Sequence, residues 1–207
     1  MLSCSEYERE GFLMQYFRLE PLADYGRGEY CFVDDTPDGI ATRWHRLASG
    51  LPFDNEYPTD PAEVTLKLGA DYPGLRLPSF IGNTPGMLVV SSAAADVMQA
   101  ANVGRMERLP FTLLDHKQRV HSRDYVFINP LERRDALNLE HSEVRRGRKG
   151  DIRDVTTMVL DRTKEHEFID LFRLGEDPSF YLVSETLVTA LRQSDATNFN
   201  FIPVEAR

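Results

Sequence analysis

One unit of this chain is written twice, and it restricts the fold more than any other feature. Residues 181–204 read YLVSETLVTALRQSDATNFNFIPV, and an earlier stretch, MLVVSSAAADVMQAANVGRMERLPF, has the same order of features: an apolar run, a Ser at the join, a helical stretch, a second apolar run. An offset of 93 residues lays Val90 on Val183, Ser91 on Ser184, Met98 on Leu191, Leu109 on Ile202 and Pro110 on Pro203. In the first copy Ser91 or Ser92 can cap the helix through a side-chain oxygen, and Ala94, Val97, Met98 and Ala101 mark one face. In the second, Ser184 caps, Glu185 sits where an anion favours the helix dipole, and Leu187, Ala190 and Leu191 face inward. Identity between the copies is low, so true repetition and chance likeness of two such units both stay open. Either way, strands with few helices in no strict alternation predict an α+β fold. Its sheet is mixed and largely antiparallel, with two similar strand-helix-strand units and few short helices.

Elsewhere the chain reads as strands and turns. QYFRL and EYCFV, between Gly- and Asp-rich clusters, predict a first hairpin, and Ile40, Trp44, Leu47 and Ala48 predict a short helix with Gly50 at its C-cap. ERLPFTLLD and RVHSRDYVFIN predict a hairpin turning at Asp115 to Gln118. VTLKL, VTTMVLD, FIDLFRL and FYLVS read as further strands. A length of 207 residues suits one domain, placed at 14–207, with the polar, acidic residues 1–13 as an extension and Met14 as an alternative natural start. No apolar run reaches the roughly 18 residues that span a bilayer. Glu6, Glu8 and Glu10 stand where a secretory signal needs positive charge. Of the two cysteines, Cys31 in YCFV reads as a free buried thiol, which suits a reducing cytoplasm.

The motifs of nucleophilic, phosphate-binding and zinc-protease sites are absent, and neither a cofactor nor a metal is expected. One constellation carries an alternative. Asp115, His116, His121 and Asp124 lie on the predicted hairpin and could serve a metal-dependent hydrolase or nuclease if the turn gathered them. Their alternation with Val120 and Ser122 equally suits a solvated strand. Charge is more informative. Residues 1–80 hold 14 acidic against 7 basic side chains, and 151–207 hold 11 against 6, whereas 131–150 hold 4 against 6. A net charge of −9 with one cationic loop, Arg145, Arg146, Arg148 and Lys149, argues against broad nucleic-acid binding. A regulatory nucleic-acid binder would have to use that loop. An acidic surface suits docking onto a basic protein.

The stretch LRLPSFIGNTPGMLVVSSAAADVM, then LPFTLLD, YVFINPLERRDAL, YLVSETLVTAL and FNFIPV, resembles a family of immunity proteins found beside bacterial polymorphic toxins. The resemblance implies a cytoplasmic protein, not an enzyme, that neutralises a cognate toxin domain by covering its active surface. It supplies no catalytic residues. Under that reading the two units form the scaffold, and the acidic loops are the expected toxin-binding elements: Asp34, Asp35 and Asp38 in one cluster, Asp54, Glu56 and Asp60 in the other.

Overall fold

The computed structural model describes residues 14–20, 28–40 and 42–207. The expected extension 1–13 lies outside the described residues. Two sheets organise the rest. A five-stranded sheet runs in the order Phe32–Val33, Phe80–Asn83, Leu88–Ser91, Tyr125–Pro130, Met106–Pro110. A six-stranded sheet runs in the order Arg133–Arg134, Leu171–Leu174, Tyr181–Ser184, Tyr16–Leu19, Phe201–Ala206, Val159–Leu160. Smaller sheets join Thr65–Lys67, Thr112–Leu114 and Val120–Ser122, and pair Glu143–Arg146 with Ile152–Thr157. The α-helices of the described residues are α1 (His45–Ser49), α2 (Ser92–Ala100) and α3 (Glu185–Gln193). Antiparallel pairs predominate and the fold is α+β. No helix of the described residues is long and apolar enough to cross a membrane.

The repeat seen in the sequence holds in the pairing register. Val90 and Pro110 both face Val126, and their counterparts Val183 and Pro203 both face Phe17. Leu88–Ser91 and Met106–Pro110 thus flank one antiparallel strand, just as Tyr181–Ser184 and Phe201–Ala206 flank another. The likeness extends outward. Phe80 pairs with Val90 as Leu171 pairs with Val183, and parallel edge strands follow at Phe32 to Gly82 and Arg133 to Arg173. Thr65 lies parallel to Thr112 as Val159 does to Glu205, again 93 residues apart at the second partner. Loop hydrogen bonds repeat too: the Ser91 N–H donates to the Ser79 carbonyl at 2.8 Å, and that of Ser184 to the Asp170 carbonyl at 3.0 Å.

In chain order each copy therefore runs as central strand, edge strand, excursion, parallel strand, hairpin, helix and final strand. The first copy spans 16–114 and the second 125–207. Each copy's central strand sits in the other copy's sheet: Tyr16–Leu19 lies between Tyr181–Ser184 and Phe201–Ala206, while Tyr125–Pro130 completes the five-stranded sheet. This exchange corrects the predicted first hairpin. QYFRL and EYCFV do not pair, because the first is taken by the second copy's sheet and Phe32–Val33 by the first copy's.

The helices form as the sequence predicts at the repeated units. Ser91 Oγ accepts from the Ala94 N–H at 3.3 Å and Ser184 Oγ from the Leu187 N–H at 3.2 Å, each satisfying a first-turn donor. The apolar faces of α2 and α3 meet in one core shared by both sheets, where Ala95, Met98, Leu187 and Leu191 are buried with Leu88, Leu171 and Val183. Truncating Met98 or Leu191 to Ala would cost about 2–5 kcal/mol through lost transfer energy and the cavity left behind. The helix expected at 40–48 is shorter. Residues 42–44 turn, with the Arg43 N–H on the Ile40 carbonyl at 2.7 Å, and α1 ends at Gly50, which takes the left-handed conformation (φ 64°).

Candidate partner-binding surface

The copies differ most in their excursions, which leave the frame at equivalent points. The Asp38 N–H donates to the Thr65 carbonyl at 2.9 Å, and the Asn138 N–H to the Val159 carbonyl at 2.8 Å. Between those anchors the first copy carries 39–64, with α1 and two short 3-10 turns, and the second carries 139–158, with the two-stranded ribbon. Residues 34–64 hold 7 acidic and 2 basic side chains, whereas the matching 135–158 hold 5 of each.

Across the acidic excursion and the 34–38 stretch that leads into it, the six expected residues divide by their partners. Asp38 is paired with Lys67 at 3.0 Å. Glu56 is clasped by Arg43 at 3.1 Å and Arg46 at 3.3 Å, and these guanidinium hydrogen bonds, Arg43's first, pull its carboxyl below the usual range. Asp34, Asp35, Asp54 and Asp60 are exposed and have no cationic partner among the described residues. Asp35 Oδ1 takes the Thr36 N–H at 2.7 Å, and Asp60 Oδ1 caps the Ala62 N–H at 2.8 Å.

Backbone contacts bring one part of the two clusters together. Gly39, at φ 83°, lies against the Glu63 carbonyl so closely that an added Cβ would come within 2.0 Å of it. The 34–38 stretch therefore runs beside the end of the 54–63 stretch, and exposed Glu63, a member of neither expected cluster, lies there with them. Asp54 is held apart. Its N–H (3.1 Å) and that of Phe53 (2.8 Å) both donate to Glu107 Oε1, with Asp54 in the left-handed region at φ 51°. Glu107 also takes Asn129 Nδ2 at 2.8 Å, and Asn129 Oδ1 accepts from Arg173 at 3.3 Å. Arg173, fully buried, then donates to the carbonyls of Leu47, Ala48, Pro130 and Pro178 at 2.5–3.0 Å, and its guanidinium lies 4.2 Å from the Tyr181 ring centre. The acidic excursion thus rests on a polar seam that runs from Glu107 of the first copy to Asn129 and Arg173 of the second. No local pattern could reveal it, since its members lie at 53–54, 107, 129 and 173.

The hydrolase constellation does not converge. Asp115 is saturated by its own turn, taking the Lys117 and Arg119 N–H groups at 2.8 and 2.9 Å and the Arg119 guanidinium at 2.7 Å. Hydrogen bonds from Arg119, backbone first and then side chain, lower its carboxyl to about 2. His116 Nε2 bonds the Tyr72 carbonyl and His121 Nε2 the Leu75 carbonyl, both at 3.0 Å, while the Asp124 backbone joins α2. Among the described residues no group of three His, Cys, Asp or Glu side chains could hold a metal ion. Cys31 is a free buried thiol, 3.7 Å from His121 Nε2, and burial pushes it up to about 11, away from the reactive thiolate.

The cationic loop is structured more than a solvated turn. Arg145 and Arg146 lie on the ribbon strand Glu143–Arg146, and Arg148 and Lys149 lie in its turn.

Comparison with known families gives a match to the immunity protein family Imm11 over residues 44–206, most of the chain and nearly all of both copies after the first exchanged strand and edge. No curated protein matches the chain. The chain belongs to the immunity protein family Imm11.

Proposed function

We propose that this member of the Imm11 immunity family neutralises a bacterial toxin domain in the cytoplasm by covering its active surface with the acidic excursion of the first copy. The observation that carries this reading is the state of four carboxylates. Asp34, Asp35, Asp54 and Asp60 stand exposed without a cation among the described residues, whereas Asp38 and Glu56 beside them are already paired. Unpaired carboxylates on a backbone fixed by Glu107 and Gly39 present negative charge without first having to release an internal partner. That arrangement fits the basic cleft of a toxin that acts on nucleic acid, where carboxylates take the place of phosphates. Occlusion also fits a hairpin whose candidate groups are held apart: the Asp115 carboxylate is tied to its own turn, and the His116 and His121 imidazoles to the Tyr72 and Leu75 carbonyls. The test uses the toxin domain encoded beside this chain. The parent protein should bind it and restore growth to cells that express it, with an association rate that falls steeply as salt rises. Neutralising Asp34, Asp35, Asp54 and Asp60 together to Asn should slow association about ten-fold at low salt. An unchanged rate at every salt concentration would remove the acidic excursion from the interface, and failure of the parent to bind or protect would sink the neutralisation reading itself.

A further inference from the structure

The second copy's excursion has a chemistry that the first lacks. Elsewhere among the described residues some Lys and Arg side chains are held by a carboxylate, as Lys67 is by Asp38 and Arg119 by Asp115, and the others, such as Lys117 and Arg123, lie apart from one another in no such run. On the ribbon Arg145 is paired with Asp154 at 3.4 Å and Arg153 with Asp151 at 2.6 Å, but Arg146, Arg148 and Lys149 enter no ion pair among the described residues. All three are exposed. The ribbon's register shifts between Arg145 and Arg146, which breaks the strand's alternation and leaves both side chains facing solvent. Its turn is open: Gly150, at φ 84°, has nothing within 4 Å of where a Cβ would sit. The opposite side is fixed, with Val155 buried and Val144 and Ile152 packed on the third core. The ribbon is therefore a seated arm: Arg146 Nη1 donates to the Gly150 carbonyl of its own turn at 2.9 Å, and the charges of Arg146, Arg148 and Lys149 meet no carboxylate among the described residues.

We propose that this ribbon is a second docking element, taking an acidic segment of the toxin through Arg146, Arg148 and Lys149 while the acidic excursion covers the toxin's basic surface. The proposal rests on the neutralisation reading. Three cations are too few for a nucleic acid, whose binding grows with the number of phosphates neutralised, on a body whose net charge of −9 repels it. A membrane surface is disfavoured because the ribbon's apolar side chains point into the core and none flanks the cationic turn. A short run of carboxylates needs only a few fixed donors, and two guanidinium groups with an ammonium supply them in forked and point-like geometry.

The experiment substitutes Arg146→Gln, Arg148→Gln and Lys149→Gln together in the full chain. It compares this variant with the parent against a labelled peptide of alternating Glu and Gly, a single-stranded RNA of equal charge, and the toxin domain encoded beside the chain. The parent should bind the peptide in a salt-sensitive way and the variant about five-fold more weakly or worse. The RNA should fail to displace the peptide, and the variant's complex with the toxin domain should dissociate about five-fold faster. Equal peptide binding by parent and variant, displacement by RNA, or an unchanged dissociation rate from the toxin overturns the ribbon assignment while leaving neutralisation standing. If the parent itself does not bind the toxin domain, the neutralisation reading falls and this assignment falls with it.

Discussion

Gly82 and Arg173 hold the same register position in the two copies, Gly82 opposite Phe32 and Arg173 opposite Arg133, yet one has no side chain and the other fills the seam between the copies. From there the second copy's arginine reaches α1 of the first copy, where its donors occupy the Leu47 and Ala48 carbonyls that a short helix leaves without partners. It also bonds Pro130, at the end of the strand that the second copy lends to the first copy's sheet. The frame is repeated, but its fastening is one-sided: the acidic excursion is anchored by a buried polar network, whereas the ribbon is held by apolar packing and, at its base, by the hydrogen bonds that Ser142 and Val159 exchange. A repeated scaffold can therefore carry two unlike arms, each fixed by contacts that its counterpart does not have.

Breaking the one-sided fastening should have the largest effect on stability. Arg173→Met fills similar volume but removes a donor from four carbonyls and from Asn129, and the expected loss is about 3–5 kcal/mol, read by urea denaturation. Arg173→Lys keeps a charge without the fork and should fall between parent and Met. Gly50→Ala attacks the same seam, because its Cβ would lie 2.4 Å from Arg173 Cδ on a backbone at φ 64°; it should cost about 1–3 kcal/mol. If Arg173→Met matches the parent, the seam is not what joins the excursion to the frame.

The two helix caps offer a smaller and more controlled contrast. Both serines cap through their Oγ, but Ser184 also donates its hydroxyl to Asp170 Oδ1 at 2.5 Å and is fully buried, while Ser91 is half-buried and bonds the helix alone. Ser184→Ala should cost about 2 kcal/mol and Ser91→Ala about 0.5–1 kcal/mol, measured in the same denaturation series. Equal losses would mean that the Asp170 bond adds nothing to the second cap.

These serines also mark how far the fold was legible. The strand-helix-strand units, their caps and the α+β class follow from local periodicity, which depends on residues a few positions apart. The exchange of central strands does not, because Tyr16 faces Ser184 and Val204 across most of the chain, and a nearby strand with an intervening turn reads as a hairpin. A usable signal was present in YFRLEPL and YVFINPL, which share Tyr, Pro and Leu at equal spacing. Of the acidic surface the sequence shows the composition and the residues. It does not show which carboxylates are free, since Lys67, Arg43 and Arg46 are chosen by tertiary placement. Nor could it show that Arg173, the one charged residue in LFRL, is buried.

The link between the copies also responds to acid. Hydrogen bonds from Arg119 hold the Asp115 carboxyl at about 2, below an unfolded-chain value of about 3.9. A depressed carboxylate contributes stability that is fully present above the unfolded value and is lost as the pH falls from about 4 through about 2. Asp115→Asn should therefore be less stable than the parent near neutrality, with the gap closing across that window in denaturation series taken at successive pH values. A gap that persists unchanged to the acid end would mean that the turn depends on shape and not on charge.

The smallest effect on stability, and the sharpest on kinetics, concerns the carboxylates within the acidic excursion. Asp38 is half of an exposed pair with Lys67, and such pairs contribute about 0–1 kcal/mol, so Asp38→Asn should lower stability slightly. It should barely change the rate of toxin association, because its field is already cancelled by Lys67. Asp35→Asn should do the reverse, leaving the denaturation curve within about 0.5 kcal/mol of the parent while slowing association about two-fold at low salt. The contrast follows from pairing alone, as both residues lie on one turn and carry one charge. Lys67→Gln provides the crossed test: freeing Asp38 should speed association, and subsequent neutralisation of Asp38 should then slow it as Asp35→Asn does. If Asp38→Asn and Asp35→Asn slow association equally in the parent, net charge governs encounter and the pattern of paired and unpaired carboxylates is irrelevant to it.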